Sequence, residues 1–277
     1  MILIAGSVVA QPEPAGAGEI HQLDRQFDVK PGTALRIVNP YGNVRIREVP
    51  LGAPAQLRVT VQTEAGQPNP AAITERTAVG DESGVATDHA TDLTIILTIV
   101  AAPDRVAANG PTGDPMSEGN EAILDRIAGF LRADFVLAVP DSVELEIELV
   151  DGDFTMHGAT YPVKLRARSG HINLRTAGRV DVEVGSGHVI YNQNIEGPVH
   201  GGRIQTSRAP VDILRADAAE LRYRVVSGAA VTTDSQEILQ SRSRDGRAWV
   251  FGLEQAAATL EIQTDSAPVR LVAEGIR

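Results

Sequence analysis

The side chains best suited to chemistry in this sequence are Asp151, Asp153, His171 and His188. Imidazole and carboxylate together suit zinc or another divalent cation, so Asp153, His171 and His188 form a candidate metal set if the chain gathers them. No fourth ligand is spaced to join them, and a solvent-facing ladder of side chains is the plainer reading. Asp151-Gly152-Asp153 offers a carboxylate pair, for calcium or for glycoside hydrolysis, in which two carboxyls must face each other ~5–9.5 Å apart across a substrate. Here the two flank one glycine, and no second acidic pair recurs at that level, which favours decoration of a bend. Ser169, Ser186 and Ser227 recur near glycines without the base and oxyanion site that a nucleophile needs, so a hydrogen-bonded serine ladder is expected. His21, His89, His157 and His200 follow no ligand spacing, and no Gly-x-Gly-x-x-Gly or Walker-type loop occurs. Trp249, the single tryptophan, is expected to face outward between Ala248 and Val250, where it could stack on a sugar or anchor an interface. These residues assign no catalytic group, no resident metal and no cofactor.

The elements that must position these residues come from an internal repeat. Leu165-Arg166-Ala167-Arg168-Ser169-Gly170-His171-Ile172-Asn173-Leu174 returns as Val182-Glu183-Val184-Gly185-Ser186-Gly187-His188-Val189-Ile190-Tyr191. Apolar residues alternate with polar ones on both sides of a small corner residue, which is a strand pattern. With that register, the first apolar positions are Ile147, Leu165, Val182, Ile204, Tyr223, Ser241 and Ile262, and an upstream copy begins at Ile37. The corners five residues on are Gly152, Gly170, Gly187, Ala209, Gly228, Gly246 and Ala267, with Gly42 upstream. A corner that needs φ > 0 or close backbone approach selects glycine. Inward pairs such as Phe154/Met156, Ile172/Leu174, Val189/Tyr191 and Val211/Ile213 would stack coil upon coil at the ~4.8 Å strand spacing. The expected fold is therefore all-β: a single-stranded parallel β-helix or β-solenoid with coils of about 17–22 residues. In that register Asp153, His171 and His188 occupy one column.

The N-terminal half is less regular. Strands are expected at 27–29, 35–38, 44–47, 56–63, 92–101, 135–139 and 143–149, separated by polar loops near 65–90 and 103–120. Ile123, Leu124, Ile127 and Leu131 recur at helical spacing, which predicts one short helix within an insertion near 103–132. Residues 1–10 read as a truncated signal peptide ending at Val8-Val9-Ala10, residues 11–26 as a flexible segment, and residues 27–277 as one elongated domain.

The net charge of −11 and the pI near 5.0 disfavour nucleic acid and anionic lipid as partners. The absence of cysteine removes disulfides, thiol nucleophiles and thiolate metal sites. No apolar run approaches the ~20 residues of a membrane-spanning helix.

Three features resemble the bacterial putative-adhesin domain family of unknown function. They are Phe27-Asp28-Val29-Lys30-Pro31-Gly32 followed by Leu35 to Val44, then Leu137-Ala138-Val139-Pro140-Asp141, and then the Ser-Gly-x-apolar-x-apolar series at Ser169–Leu174 and Ser186–Tyr191. The resemblance covers roughly residues 25–275. It implies a β-helix-like, envelope-associated protein and transfers no catalytic residue. The expected function is thus a non-enzymatic exported protein, periplasmic, outer-envelope or secreted, acting as an adhesin or interaction scaffold for an unidentified protein or glycan. Its open ends offer a route to self-association. The alternative is a polysaccharide-active β-helix enzyme using Asp151 and Asp153.

Overall fold

The computed structural model describes residues 19–29, 34–50, 52–63, 74–75, 95–98, 130–140, 143–158, 162–193, 200–215, 221–234, 239–252 and 254–273. Every regular element among them is a strand. The N-terminal half contains β1 (Glu19–Phe27), β2 (Ala34–Tyr41), β3 (Val44–Val49), β4 (Ala55–Thr63), β5 (Thr74–Glu75), β6 (Ile95–Thr98) and β7 (Phe130–Pro140). The middle contains β8 (Glu144–Asp151), β9 (Phe154–His157), β10 (Val163–Arg175), β11 (Val180–Asn192), β12 (Gly202–Thr206) and β13 (Val211–Arg215). The last part contains β14 (Leu221–Ser227), β15 (Val231–Thr233), β16 (Leu239–Arg242), β17 (Ala248–Phe251), β18 (Ala258–Thr264) and β19 (Val269–Ala273).

All of them join one mixed sheet that is not closed on itself. Two ladders can be followed through it, sharing β10 and β11, which run unbroken through their Ser-Gly corners. The first runs β5-β6-β2-β8-β10-β11-β12-β18-β14-β17-β16, parallel from β6 to β14 and antiparallel at both ends. The second runs β1-β4-β7-β3-β9-β10-β11-β13-β19-β15, antiparallel only among β1, β4 and β7.

The core lies between rows of inward side chains. Ile37, Ile147, Leu165, Val182, Ile204, Ile262 and Val225 follow one another across the first ladder, none more than 1% exposed. Leu137, Ile46, Met156, Leu174, Tyr191 and Ile213 do the same across the second. Each such side chain contributes about 1.5–3 kcal/mol by leaving water, and each depends on its neighbours in the row for cover. Leu165, Val182 and Ile204 thus sit on adjacent parallel strands, in the register that their spacing predicts.

Glycine holds these rows close. A Cβ on Gly152, Gly170 or Gly187 would lie 1.9 Å from the carbonyl oxygen of Gly42, Gly152 or Gly170 respectively, the corner glycine of the neighbouring strand. No side chain fits that approach.

Several expectations fail in instructive ways. The units do not stack in sequence order, because β12 pairs with β18 and the segment after it, β14, lies beyond. Corner chemistry accounts for the match. Thr206-Ser207-Arg208-Ala209-Pro210-Val211 and Thr264-Asp265-Ser266-Ala267-Pro268-Val269 share threonine, alanine, proline and valine at equal spacing, and each threonine hydroxyl donates to the alanine carbonyl three residues on. Tyr223 pairs with Leu260 while Val225 pairs with Ile262, so the expected register of β14 is wrong by two residues. The units expected around Ser241 and Gly246 are instead an antiparallel hairpin, β16–β17. Gly246 (φ +68°) closes its turn, where the Gly246 amide donates to the Ser243 carbonyl at 3.0 Å.

Residues 19–26, expected to be flexible, lie in β1 and pair one for one with β4. The weak alternation there hid a strand whose backbone groups are satisfied by its partner. The predicted helix meets strand at its C-terminal end, since Phe130–Arg132 belong to β7, and its remaining residues lie outside the described ones. The signal-peptide segment 1–10, the loop 103–120 and most of 65–90 also lie outside them. No helix among the described residues is long and apolar enough to cross a membrane.

Candidate functional site

The second ladder brings Asp153, His171 and His188 together. Each follows a corner glycine, between β8 and β9 for Asp153 and within β10 and β11 for the histidines, and the column extends backwards through Asn43 to Asp134. Its chemistry is directional. The Asn43 amide donates to Asp134 Oδ1 (2.8 Å), the Asp153 amide to Asn43 Oδ1 (3.1 Å) and the His171 amide to Asp153 Oδ1 (2.9 Å). Each side chain therefore caps the backbone N–H of the next strand at a bend where regular ladder pairing is interrupted.

The histidines continue the column differently. The His171 and His188 rings meet edge to face, with centroids 6.3 Å apart and planes at 79°. His188 Nε2 lies 3.1 Å from Asp212 Oδ2 on β13, and Arg270 on β19 clamps the same carboxylate through Nε and Nη2, both at 3.2 Å. Beyond His188 the column holds Pro210 and Pro268, which have no amide hydrogen to cap. No group of three or more His, Cys, Asp or Glu side chains among the described residues is arranged to hold a metal ion. The Asp153 carboxylate is engaged by a backbone amide and the His188 ring by a carboxylate.

The other candidates separate. Asp151 Oδ1 accepts from Ser169 Oγ at 3.0 Å, while Asp153 faces the His171 amide, so each carboxylate braces a different part of the corner. Ser169 and Ser186 are paired across β10 and β11. Ser227 pairs instead with Thr264, two register positions earlier in the corner. Its hydroxyl lies 2.8 Å from the Thr264 hydroxyl and 3.1 and 3.2 Å from the Ala267 and Ala229 carbonyls, acceptors among which its single proton is shared. This network is buried and structural.

Trp249 does not face outward. It is 7% exposed, pairs with inward-facing Val225 across β14 and β17, and carries the Arg242 guanidinium over its ring at 5.5 Å. The register of the hairpin sets Trp249 and Phe251 opposite the inward Val225 and Tyr223, so these two, rather than Ala248 and Val250, face the core. Its stacked guanidinium is a cation–π contact. A polar feature absent from the sequence reading is the pair Arg36–Glu148 on β2 and β8, with Nη2 and Oε1 2.5 Å apart and Glu148 only 4% exposed. Arg36 and Glu148 occupy ordinary alternating strand positions, so nothing in their spacing marks them.

No family model matches the chain, and no curated protein matches it. Solved structures with a similar course of chain include a putative cell adhesion protein from Clostridium sporogenes, at 11% identity and a TM-score of 0.46, covering 92% of this chain and 100% of that one. They also include putative adhesins from Bacteroides fragilis, at 10% identity, TM-score 0.31 and coverage of 91% and 97%, and from Parabacteroides distasonis, at 7%, 0.26 and 92% and 97%.

Proposed function

We propose that this chain is a non-enzymatic interaction protein of the bacterial envelope, exported and adhesin-like, whose strands β1 to β19 form one elongated domain built around a parallel β-solenoid. One observation carries the reading: in the column the repeat aligns, Asp153 braces the His171 amide, the His171 ring packs on His188, and His188 meets Asp212, so these side chains are engaged within the fold. A stack of this kind presents its outward side chains in rows at fixed spacing, held by inward rows that do not move, which suits recognition of an extended partner. Two assays test it. Fractionation of the native bacterium should place the full-length product in the periplasm, the envelope or the medium, and a cytosolic location overturns the proposal. Acidic and neutral polysaccharides incubated with the purified protein, with and without calcium, should remain intact. Cleavage that disappears in Asp153→Ala would establish the enzyme alternative instead.

A further inference from the structure

The outer face of the second ladder, where β1, β4, β7 and β3 lie side by side, is hollowed into a groove of about 740 Å³. That is within the range of small-ligand sites, ~300–1,000 Å³. Its floor is small and apolar, with Val136 half-buried and Ala138, on the outward side of the same strand, covered beneath its neighbours at 1% exposure. Its rim carries Arg47, Arg58, Gln26 and Gln56, against one carboxylate, Asp24, while Arg25, paired with the inward Leu57, belongs to the other face of β1. Asp24 is already engaged by Arg58 at 2.7 Å. Arg47, opposite Ala138, has no ion-pair partner among the described residues. A groove with a surplus of guanidinium groups, on a chain of net charge −11, is a local inversion of the protein's charge.

The pairing narrows the ligand. β4 is flanked by β1 and β7, and β7 by β4 and β3, so the strands under the floor offer no free edge, and β1, which ends the ladder, has its open edge at the rim rather than under the floor. A ligand lying on the floor is recognised by side chains. Guanidinium forks match carboxylates, the glutamine amides both donate to and accept from hydroxyls, and the flat apolar floor admits the C–H face of a ring. The outward row Gln26–Gln56–Ala138–Arg47 continues onto His157 and Arg175 on neighbouring strands, with no carboxylate in it. At ~4.8 Å per strand this row leads out of the groove without meeting an acidic side chain.

We propose that this groove binds a carboxylated sugar unit of an acidic polysaccharide. The inference rests on the reading of the chain as a binding protein and supplies the ligand class. The full chain is titrated calorimetrically with oligogalacturonate, with a neutral oligosaccharide of equal length, and with poly-glutamate. Oligogalacturonate should bind, more weakly as salt rises, and the other two should bind at least tenfold more weakly. Arg47→Ala should weaken oligogalacturonate at least tenfold, and Arg47→Lys, which keeps the charge and loses the fork, several-fold. Arg270→Ala, on the same ladder and outside the groove, should leave binding unchanged, and circular dichroism of each variant checks the fold. Equal binding of poly-glutamate, no binding of oligogalacturonate, or an unaffected Arg47→Ala each overturns the proposal. Cleavage of a bound oligosaccharide would leave the groove standing and remove the non-enzymatic reading.

Discussion

Replacing Gly170 by alanine tests the packing on which the whole stack depends. Gly170 has φ +146°, and its absent Cβ would point at the Gly152 carbonyl oxygen, 1.9 Å away. Real Cβ contacts essentially never fall under 3.0 Å, so the two corners must separate by at least about 1.1 Å. The obstacle is backbone and has no flexible end that could swing aside. Three costs add. An L-residue in this backbone region costs about 1–2 kcal/mol. Forcing apart a close-packed contact costs about 1–3 kcal/mol. Separation also stretches the neighbouring bond from the Gly152 amide to the Ser169 carbonyl, already 3.2 Å long, at about 1 kcal/mol. The expected loss is about 3–6 kcal/mol.

Gly52→Ala is the control. Gly52 also has positive φ (+86°), yet a Cβ there meets nothing within 4 Å, so only the backbone cost of about 1–2 kcal/mol remains. Urea unfolding followed by circular dichroism, with the slope compared between variants, measures the difference. A Gly170→Ala midpoint no lower than that of Gly52→Ala would refute the close-packed corner and the stack built on it.

Three further outcomes follow from particular side chains. Asp153→Asn should change stability by no more than about 0.5 kcal/mol, because Asn43 already performs the same capping one strand away, whereas Asp153→Ala should cost about 1 kcal/mol by leaving the His171 amide uncapped; denaturant midpoints of the pair decide it. Intrinsic fluorescence reports Trp249 alone, so native emission should be blue-shifted and poorly quenched by iodide, and Trp249→Ala should lose about 3 kcal/mol. Burial pushes the Tyr191 phenol far above its usual range, so the folded state keeps this proton while the unfolded state releases it near pH ~10. Above that pH the unfolded state binds fewer protons and stability must fall as pH rises; a pH series of unfolding midpoints that shows no greater alkaline loss than Tyr191→Phe would contradict this.

What the sequence made legible was whatever a short-range pattern encodes. Alternation around Gly170 and Gly187 set the register that puts Leu165 against Val182, and the same register put Asp153, His171 and His188 in one column. What it withheld has definite physical causes. Leu221, Tyr223 and Val225 all face inward, so sliding β14 by two residues leaves the same face buried, and alternation alone cannot choose between the registers. In Ala248-Trp249-Val250-Phe251 both faces are apolar, and the larger side chains won the core because they remove more surface from water. The signal that resolves this region was present in Asp245-Gly246, a hairpin turn pair that reverses the chain.

The placement of β18 beside β12 is the deeper case, because strand partners are chosen by energy rather than by order along the chain. A glycine corner accepts a neighbour at contact distance, while an alanine corner needs its threonine hydroxyl turned onto its own alanine carbonyl. Like corners stack on like. Gly42, Gly152, Gly170 and Gly187 form one run of contacts, and Ala209 and Ala267, each followed by proline, form the next. Ser227, without a threonine of its own, lies beside this run with its hydroxyl 2.8 Å from that of Thr264. The corner residues therefore specify which strands adjoin, and the apolar alternation specifies only which face each strand buries.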